Sequence, residues 1–448
     1  MKRFSALLLA VSLLLTSGCS RRSDYSVPAE APAPEAAALP TPEPTPCPHK
    51  VRLHGVCAVC GDVCDHPAWE EGRCTVCGSV CAHESYADGV CTVCGMPCSH
   101  GDHDPETAEC LLCGAKLRHN FVNGECRCGA KPQFEVNDLP MELNEPCEHP
   151  GTVEYSYYTI RDAEGKPYTK KMAVYLPCGY DENGQYDVLV LMHGLGGDAD
   201  YWLTYSQPYQ EFTDTLISTK NVLDNLIDRG YCRPLIVAAP SFYRDAANVE
   251  TYNPMWDGRY FYGELRSCVL PKLANNYATY AASGEEADLI AARDHIGYAG
   301  LSMGSIIAFQ SVLPLCLDMV SWYGCFSGFG YDAEYLCGQM QKEPFGRYDI
   351  HYFYNCVGSM DAAYDEHRAG YQEMLQFCSR LQEGENAHMD TIFYARHEFK
   401  TWIIGLCNSL QVFFNLPEYD EEPVRTLDAG TPAETEAPAE TGASGAQK

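Results

Sequence analysis

The stretch Gly300-Leu301-Ser302-Met303-Gly304 decides the fold, because it fits the pattern G-x-S-x-G in the context that this motif requires. The apolar run 295–300 before it predicts a short buried strand, and the apolar run 305–313 after it predicts a helix that Pro314 ends. A serine on such a sharp strand-to-helix turn projects from the sheet with its hydroxyl exposed. The glycines are needed because the turn leaves no room for side chains. We therefore predict that Ser302 is a nucleophile.

The sequence around this motif predicts an α/β domain over residues 150–417. Strand-like and helix-like stretches alternate there, which is typical of a central, mostly parallel sheet covered by helices. A serine nucleophile also needs a general base and an acid that orients the base. Asp361 follows the strand-like run 351–357, and His397 follows the strand-like run 391–396. Both side chains would then reach the carboxyl edge of the sheet, where Ser302 is expected.

Ser302, Asp361 and His397 are thus the predicted catalytic residues, in the chain order that suits this motif. His397 would take the serine proton and return it to the leaving alkoxide, while Asp361 would hold the imidazole tautomer. Asp365 and Glu366 lie close by in the sequence, and either is an alternative for the acid.

With these motifs, residues 150–417 resemble the α/β-hydrolase esterases. This family includes the feruloyl esterase modules of xylanases, S-formylglutathione hydrolases (esterase D-like proteins) and mycolyl transferases. The resemblance rests on seven stretches: 189–202, 221–228, 234–240, 264–273, 300–304, 358–361 and 397–402. It implies an α/β-hydrolase fold and a serine esterase that needs no cofactor for catalysis.

The oxyanion of the reaction needs two backbone N–H donors. Met303, next to the nucleophile, supplies one, and the resemblance implies that Leu195 supplies the other. His193 is expected to be structural. The aromatic residues near these loops predict a cleft that suits a phenolic acyl group or a sugar face: Tyr201, Trp202, Phe242, Tyr243 and Trp256.

We expect an exported serine esterase, and the resemblance implies that its substrates are feruloyl or acetyl esters of plant polysaccharide. Two alternatives stay open at this point. One is an acyltransferase that passes the acyl group to a carbohydrate, and the other is a non-catalytic surface protein that binds a partner through its cysteine-rich part. With a net charge of −30, the chain has nothing to neutralise phosphates, which argues against nucleic-acid binding.

The two ends of the chain have compositions typical of targeting and spacer segments. Residues 1–19 combine basic, apolar and small residues and predict a lipoprotein signal peptide that ends at Cys19, the lipidated residue of a protein anchored outside the cytoplasm. Ordinary signal cleavage without lipid is the alternative. Residues 20–46 predict a Pro/Ala/Glu-rich linker, and residues 418–448 predict a disordered acidic tail.

Residues 47–149 form a cysteine-rich repeat array that contains 15 of the 25 cysteines. A Cys-x-x-Cys-Gly turn recurs with a Cys-x-His at a period of about 17 residues. Together the two elements complete the tetrahedral Cys3His shell of a structural zinc ion, as in zinc ribbons. Disulfides are the alternative, because exported small domains often use them.

The ligand register that we favour pairs each Cys-x-His with the Cys-x-x-Cys that follows, although both halves within one compact unit remain possible. A fifth unit is degenerate, since Leu117 stands in place of a cysteine, and Cys147 and His149 are candidates to complete it. The four predicted ligand sets are Cys47, His49, Cys57 and Cys60; Cys64, His66, Cys74 and Cys77; Cys81, His83, Cys91 and Cys94; and Cys98, His100, Cys110 and Cys113.

Overall fold

The computed structural model describes residues 65–417 with several gaps, together with the backbone of two short strands at Arg52–Leu53 and Val56–Cys57. The gaps are residues 72, 77–79, 84, 88–89, 99–102, 162–164, 244–253 and 331. The residues from His66 onward belong to one compact unit. Within the described part of the chain, no helix combines the length and apolar character needed to cross a membrane.

An eight-stranded sheet forms the centre of the molecule, in the strand order β8-β7-β6-β5-β3-β4-β2-β1. Strands β3 to β8 are all parallel, while β2 runs antiparallel to both of its neighbours. The strands are β1 Thr152–Arg161, β2 Pro167–Leu176, β3 Asp187–Met192, β4 Leu235–Ala239, β5 Ile296–Leu301, β6 Trp322–Phe326, β7 Tyr352–Gly358 and β8 Ala387–Ile392.

Helices connect the parallel strands and cover both faces of the sheet. Two of them continue through a π-helical turn, at Leu265–Val269 and Ala308–Val312. The helices are α1 Thr219–Asp228, α2 Pro254–Glu264 with its continuation to Asn276, α3 Glu286–Ala291, α4 Met303–Ile307 with its continuation to Leu315, α5 Ala333–Met340, α6 Tyr364–Phe377 and α7 Phe399–Val412. Short 3-10 turns lie at Met141–Leu143, Arg293–His295 and Phe345–Arg347.

The core consists of two apolar layers, one on each face of the sheet. The central strands read as continuous apolar runs because parallel strands between two helical layers are buried on both sides. All six residues of β3 and all seven residues of β7 are buried accordingly. This architecture confirms the predicted α/β-hydrolase fold with its mostly parallel sheet.

The array is built differently, and its described part contains pairs of two-residue antiparallel strands. Trp69–Glu70 pairs with Arg73–Cys74, and Tyr86–Ala87 pairs with Val90–Cys91. Among its described residues, the buried apolar cluster that belongs to the array alone is small and contains Cys98, Cys110 and Leu117. So small a cluster buries little apolar surface, and the array needs another source of stability.

Candidate active site

The backbone at Ser302 is the tight turn that the motif predicts between β5 and α4. Ser302 has φ 50° and ψ −113°, a backbone conformation with positive φ that residues other than glycine rarely adopt. A Cβ on Gly300 would lie 2.6 Å from the backbone of Gly304, and one on Gly304 would lie 2.7 Å from the carbonyl oxygen of Met192. Glycine is therefore required at both positions for the turn to close against β3.

Ser302, His397 and Asp361 form a continuous chain of hydrogen bonds. Ser302 Oγ lies 2.8 Å from His397 Nε2, and His397 Nδ1 lies 3.0 Å and 3.1 Å from the two carboxylate oxygens of Asp361. Trp402 packs edge-on against the imidazole, with ring centroids 5.2 Å apart. The structure thus brings together the three residues singled out in the sequence, each at the carboxyl end of a parallel strand.

Two loops that contact each other hold the acid and the base in position. The amide of Met360 donates to the carbonyl of Ala395, and Gly358 lies so close to this carbonyl that a Cβ there would be 2.4 Å from it. Asp361 is buried on this loop, whereas Asp365 and Glu366 are exposed on α6. The alternative acids therefore point into solvent, and His397 contacts Asp361.

The electrostatics of this pair favour an ionised carboxylate. Burial would raise the pKa of Asp361, but the hydrogen bonds from His397 and from the backbone of Ala363 outweigh it and leave the pKa below its ordinary value. A carboxylate that stays ionised stabilises a neighbouring imidazolium and fixes the Nδ1–H tautomer of His397.

The loop 193–197 lies directly against the serine. A Cβ on Gly194 would be 3.2 Å from the Ser302 Cβ, and the amide of Gly196 donates to the hydroxyl of Tyr243 at 2.8 Å. Leu195 therefore lies in a turn beside Ser302, and its part in the oxyanion hole stays a prediction.

His193 is buried at the start of this loop, consistent with the structural role expected for it. Its Nδ1 donates to the carbonyl of Gly194 at 2.7 Å, and its Nε2 lies 2.9 Å from the hydroxyl of Ser241. Burial lowers the pKa of His193 to about 4, which keeps the ring neutral.

The expected aromatic cleft does not form from the residues named in the sequence. Trp202 and Phe242 are fully buried and Tyr243 nearly so, because they pack in the two core layers rather than on the surface. The side chain of Trp256 lies outside the described residues, and Tyr201 alone lines an open cavity. The reason is that aromatic side chains near a loop serve core packing as often as ligand binding.

That open cavity has a volume of about 460 Å³ and adjoins the histidine loop. One wall is the hairpin Gln207–Pro208 with Leu216–Ile217, whose tip exposes Phe212 completely. The buried carboxylate of Glu398, next to His397, links this hairpin to the histidine loop. It accepts from the amide of Glu211 in the hairpin at 2.9 Å and from the amide of Arg396 in the loop at 3.0 Å. Sequence reasoning missed Glu398, because no motif marks a residue whose partners lie in a distant hairpin.

The described Cys/His residues of the array converge in the favoured register. Cys81, His83, Cys91 and Cys94 place their ligand atoms within 4.8 Å of one another, and Cys98, Cys110 and Cys113 do the same. The Sγ atoms of Cys81 and Cys91 are 3.7 Å apart, as are those of Cys98 and Cys110. A tetrahedral zinc with bonds of ~2.3 Å to sulfur predicts S···S edges of about 3.8 Å, so both clusters fit zinc.

Several predicted ligands cannot be placed. His66 and Cys74 are described, but their predicted partners Cys64 and Cys77 are not. Outside the described residues, or without a described side chain, lie Cys19, Cys47, His49, Cys57, Cys60, Cys64, Cys77 and His100.

The suggestion that Cys147 and His149 complete the fifth unit is wrong. His149 Nδ1 lies 2.8 Å from a carboxylate oxygen of Asp228 at the end of α1. The cluster that contains Cys126 and Cys128 is completed by other residues. Residues 147–149 precede β1, and His149 is held against the end of α1 instead.

A serine on a strand-to-helix turn, hydrogen-bonded to a histidine that is in turn hydrogen-bonded to an aspartate, is the arrangement typical of serine hydrolases of the α/β-hydrolase class. Residues 168–411, more than half of the chain, match the family described as putative esterase. The chain belongs to this family, and the prediction of a carboxylic ester hydrolase is confirmed.

Among curated proteins, the chain is similar to endo-1,4-beta-xylanase Y of Acetivibrio thermocellus. The two are 34% identical over 194 residues, which are 43% of this chain and 16% of the xylanase. The chain therefore matches only a small part of the length of this relative.

Two solved structures share the fold. One is the feruloyl esterase module from Clostridium thermocellum in complex with sinapinate, with 24% identity, a TM-score of 0.55, and coverage of 65% of this chain and 98% of the module. The other is a ferulic acid esterase from the anaerobic fungus Anaeromyces mucronatus, with 20% identity, a TM-score of 0.50, and coverage of 64% and 99%.

Proposed function

We propose that this protein is an exported serine esterase that cleaves feruloyl or acetyl esters of plant polysaccharide. The observation that carries the proposal is the hydrogen-bond chain from Ser302 through His397 to Asp361, with distances of 2.8 Å and 3.0 Å. Such a chain activates a serine hydroxyl, which is a weak nucleophile at its own pKa.

The reaction proceeds in two halves. In the first, Ser302 Oγ attacks the ester carbonyl while His397 Nε2 takes its proton, and the resulting oxyanion accepts hydrogen bonds from the N–H groups of Leu195 and Met303. His397 then protonates the leaving alkoxide, which leaves an acyl group on Ser302. In the second half, His397 takes a proton from a water molecule that attacks the acyl-serine, and it returns this proton to Ser302 Oγ as the carboxylic acid departs.

The choice of substrate rests on similarity and on the cavity beside His397. The similar proteins are named as a xylanase, a feruloyl esterase module complexed with sinapinate and a ferulic acid esterase. The cavity of about 460 Å³ carries aromatic side chains from Tyr201, Phe212 and Phe399. Its open shape suits one aromatic acyl group or a sugar ring attached to a longer chain.

We also propose that Cys19 carries a lipid that anchors the exported protein to the membrane, and that the Cys/His clusters hold structural zinc. The distances between their sulfur atoms support zinc, because a disulfide bond is only about 2.05 Å long. The variant Cys19→Ala lacks the residue that would carry the lipid, so it should move from the membrane fraction to the soluble fraction. Retention in the membrane fraction would contradict the anchor.

The esterase proposal is tested by the hydrolysis of methyl ferulate and p-nitrophenyl acetate by the full chain and by Ser302→Ala. We expect both activities to fall by about 10⁴-fold or more in the variant, whose fold should be unchanged by circular dichroism. A preference for methyl ferulate in kcat/KM would support an aromatic acyl site. Equal activity of the variant and the wild type would refute the proposal, and acyl transfer to an added xylo-oligosaccharide would indicate the transferase instead.

A further inference from the structure

A third group of metal-ligand residues among the described residues lies at the end of the array, in its fifth unit, with a ligand set that the repeat spacing does not predict. His103, His119, Cys126 and Cys128 place one ligand atom each within 4.8 Å of all the others. Two of these ligands are imidazoles and two are thiols, whereas the cluster at Cys81 has three thiols.

The distances fit a tetrahedral metal ion. Cys126 Sγ lies 3.6 Å from His103 Nε2, and Cys128 Sγ lies 3.5 Å from His119 Nδ1. With bonds of ~2.3 Å to sulfur and ~2.05 Å to nitrogen, a tetrahedral zinc ion predicts S···N edges of about 3.5 Å. A tetrahedral set of two thiolates and two imidazoles is also typical of zinc sites, whereas Mg²⁺ and Ca²⁺ prefer oxygen ligands.

The turn that carries the two cysteines is a shortened form of the other knuckles. In the longer Cys-x-x-Cys-Gly turns, the amide of Gly95 donates to the carbonyl of Cys91, and the amide of Gly114 donates to that of Cys110. In Cys126-Arg127-Cys128-Gly129, the amide of Gly129 donates to the carbonyl of Cys126, and Gly129 has φ 89°. The turn therefore closes in the same way with one residue fewer, and both thiols still point to one centre.

His103 explains how the degenerate unit is completed. Leu117 stands where the repeat has a cysteine, and it packs in the small apolar cluster with Cys98 and Cys110. His103 lies between these two cysteines in the sequence and supplies the missing ligand to the next site. The fifth site is thus tied to the preceding cluster through the chain itself.

This cluster contributes a ligand, Cys126, to the apolar core of the esterase domain, whereas Cys98 and Cys110 of the preceding described cluster lie in a separate small apolar cluster. Cys126 and Phe121 are buried in the same apolar layer as α7, and the side chain of Asn120 donates to the carbonyl of Leu416 at 2.9 Å. The segment that follows runs along the domain and ends at the 3-10 turn Met141–Leu143.

That segment contacts both α7 and the loop that carries His397. Asn408 on α7 accepts from the amide of Glu135 at 3.0 Å and donates to its carbonyl at 2.7 Å. The amide of Phe393, four residues before His397, donates to the carbonyl of Val136 at 2.7 Å. Lys400 pairs with the carboxylate of Asp138, also at 2.7 Å.

From this geometry we infer that His103, His119, Cys126 and Cys128 bind one zinc ion that fastens the array to the esterase domain. The ion fixes the position of the chain immediately before residues 130–143, and this keeps the segment packed against α7. Metal binding here stabilises the catalytic domain, because a site that exists only in the folded state contributes its binding free energy to folding.

The test compares Cys128→Ser with Cys94→Ser in the full chain. The two cysteines are matched, since each is the last cysteine of its turn and is partly exposed. Each variant should lose about one zinc ion per chain by elemental analysis. Only Cys128→Ser should lower the melting temperature of the esterase domain, by about 5 °C or more. The melting temperature is measured as the loss of ester hydrolysis on heating.

Cobalt substitution identifies the ligand set. The thiolate-to-cobalt absorption lost in Cys128→Ser should correspond to two thiolates, and the absorption lost in Cys94→Ser should correspond to three. An unchanged zinc content in Cys128→Ser would overturn the site. Equal melting temperatures of the two variants would overturn its fastening role.

A measurement on the wild-type protein covers the case in which Cys128→Ser does not fold. When a chelator removes the metal, the amides of α7 should lose protection from hydrogen exchange, whereas those of β3 and β5 should keep theirs. Unchanged protection of α7 after complete metal removal would contradict the inference.

Discussion

In strand β7 of the esterase sheet every residue is buried, whereas in the array the residue before the second cysteine of each described knuckle is exposed. Val76, Val93 and Leu112 expose between 50% and 54% of their surface at this position. The esterase domain is therefore stabilised by apolar burial between two helical layers. In the array, cysteines and histidines come together in small clusters, and metal binding there would supply the stability.

The same difference separates the chemistry of the two regions. The described four-ligand clusters offer all four donors that a tetrahedral metal ion would need, and such a complete set is typical of structural sites. The histidine of the esterase site instead contacts a serine and remains partly exposed. We therefore expect catalysis to depend on the esterase domain and metal content to depend on the array.

The test with the largest expected effect asks whether activity depends on the array or on the esterase domain alone. In His397→Ala the general base is gone, and kcat for methyl ferulate should fall by about 10⁴-fold or more. In His83→Ala the initial activity should stay within about twofold of the wild type, because this histidine belongs to a structural cluster. A collapse of kcat in folded His83→Ala would give the array a direct part in the reaction.

A second substitution sharpens the assignment of the acid. Asp361→Asn keeps the shape of the side chain but removes the charge that stabilises the imidazolium, so kcat should fall by about 10³- to 10⁴-fold. The control is Asp365→Asn, whose carboxylate is exposed on α6. If the control loses as much activity as Asp361→Asn, the assignment of the acid is wrong.

Stability should respond differently in the two regions to the loss of an apolar side chain. Ile404 is fully buried on α7, whereas Leu111 in the array is 67% exposed. Ile404→Ala should lower the free energy of unfolding by about 2–5 kcal/mol, and Leu111→Ala should change it by less than about 0.5 kcal/mol. Urea unfolding measures both, and similar values would mean that the array also depends on apolar burial.

The smallest expected effect is a pH dependence that arises in the esterase domain. Buried His367 accepts from the amide of Gly328 at 2.9 Å, and burial lowers the pKa of His367 to about 4. An unfolded histidine titrates near ~6.5, so the unfolded state binds more protons between these values. The stabilisation is complete above pH ~6.5 and falls by roughly 3 kcal/mol as the pH drops towards 4.

Substitution of this histidine checks the sign of the effect. In His367→Gln, the decrease in unfolding free energy between pH 7 and pH 5 should be shallower than in the wild type. A steeper or unchanged decrease would show that His367 does not titrate as its burial requires.

The sequence predicted those features that depend on local pattern. The apolar runs before Ser302 and before Asp361 are the strands β5 and β7, and the run after Ser302 is helical. The prediction of a strand over 391–396 is mostly wrong, because β8 spans Ala387–Ile392 and a turn follows it before His397. The parallel order of the three strands brings the three residues to one edge of the sheet. The Cys-x-x-Cys-Gly turns converge as their spacing indicates. In both cases, a short motif and the direction of a strand determine where a side chain ends.

The features that the sequence did not predict depend on distant contacts. Trp202 and Phe242 near the motif looked like cleft residues, but the helices on both faces bury them. His103 lies in a cluster with Cys126, 23 positions away. It takes the place of the cysteine that the repeat would have at Leu117, whose side chain packs in an apolar cluster instead. Period and spacing carry no information about such an exchange of ligands between units.

The most direct test of the account is the labelling of the full chain with a fluorophosphonate, followed by intact-mass and peptide mass spectrometry. The reagent reacts with serines that a neighbouring histidine activates. We expect one adduct per chain, on Ser302, which is abolished in Ser302→Ala and strongly slowed in His397→Ala. Labelling of another residue, or the absence of labelling in a folded protein that still hydrolyses methyl ferulate, would contradict the assignment of Ser302 as the nucleophile.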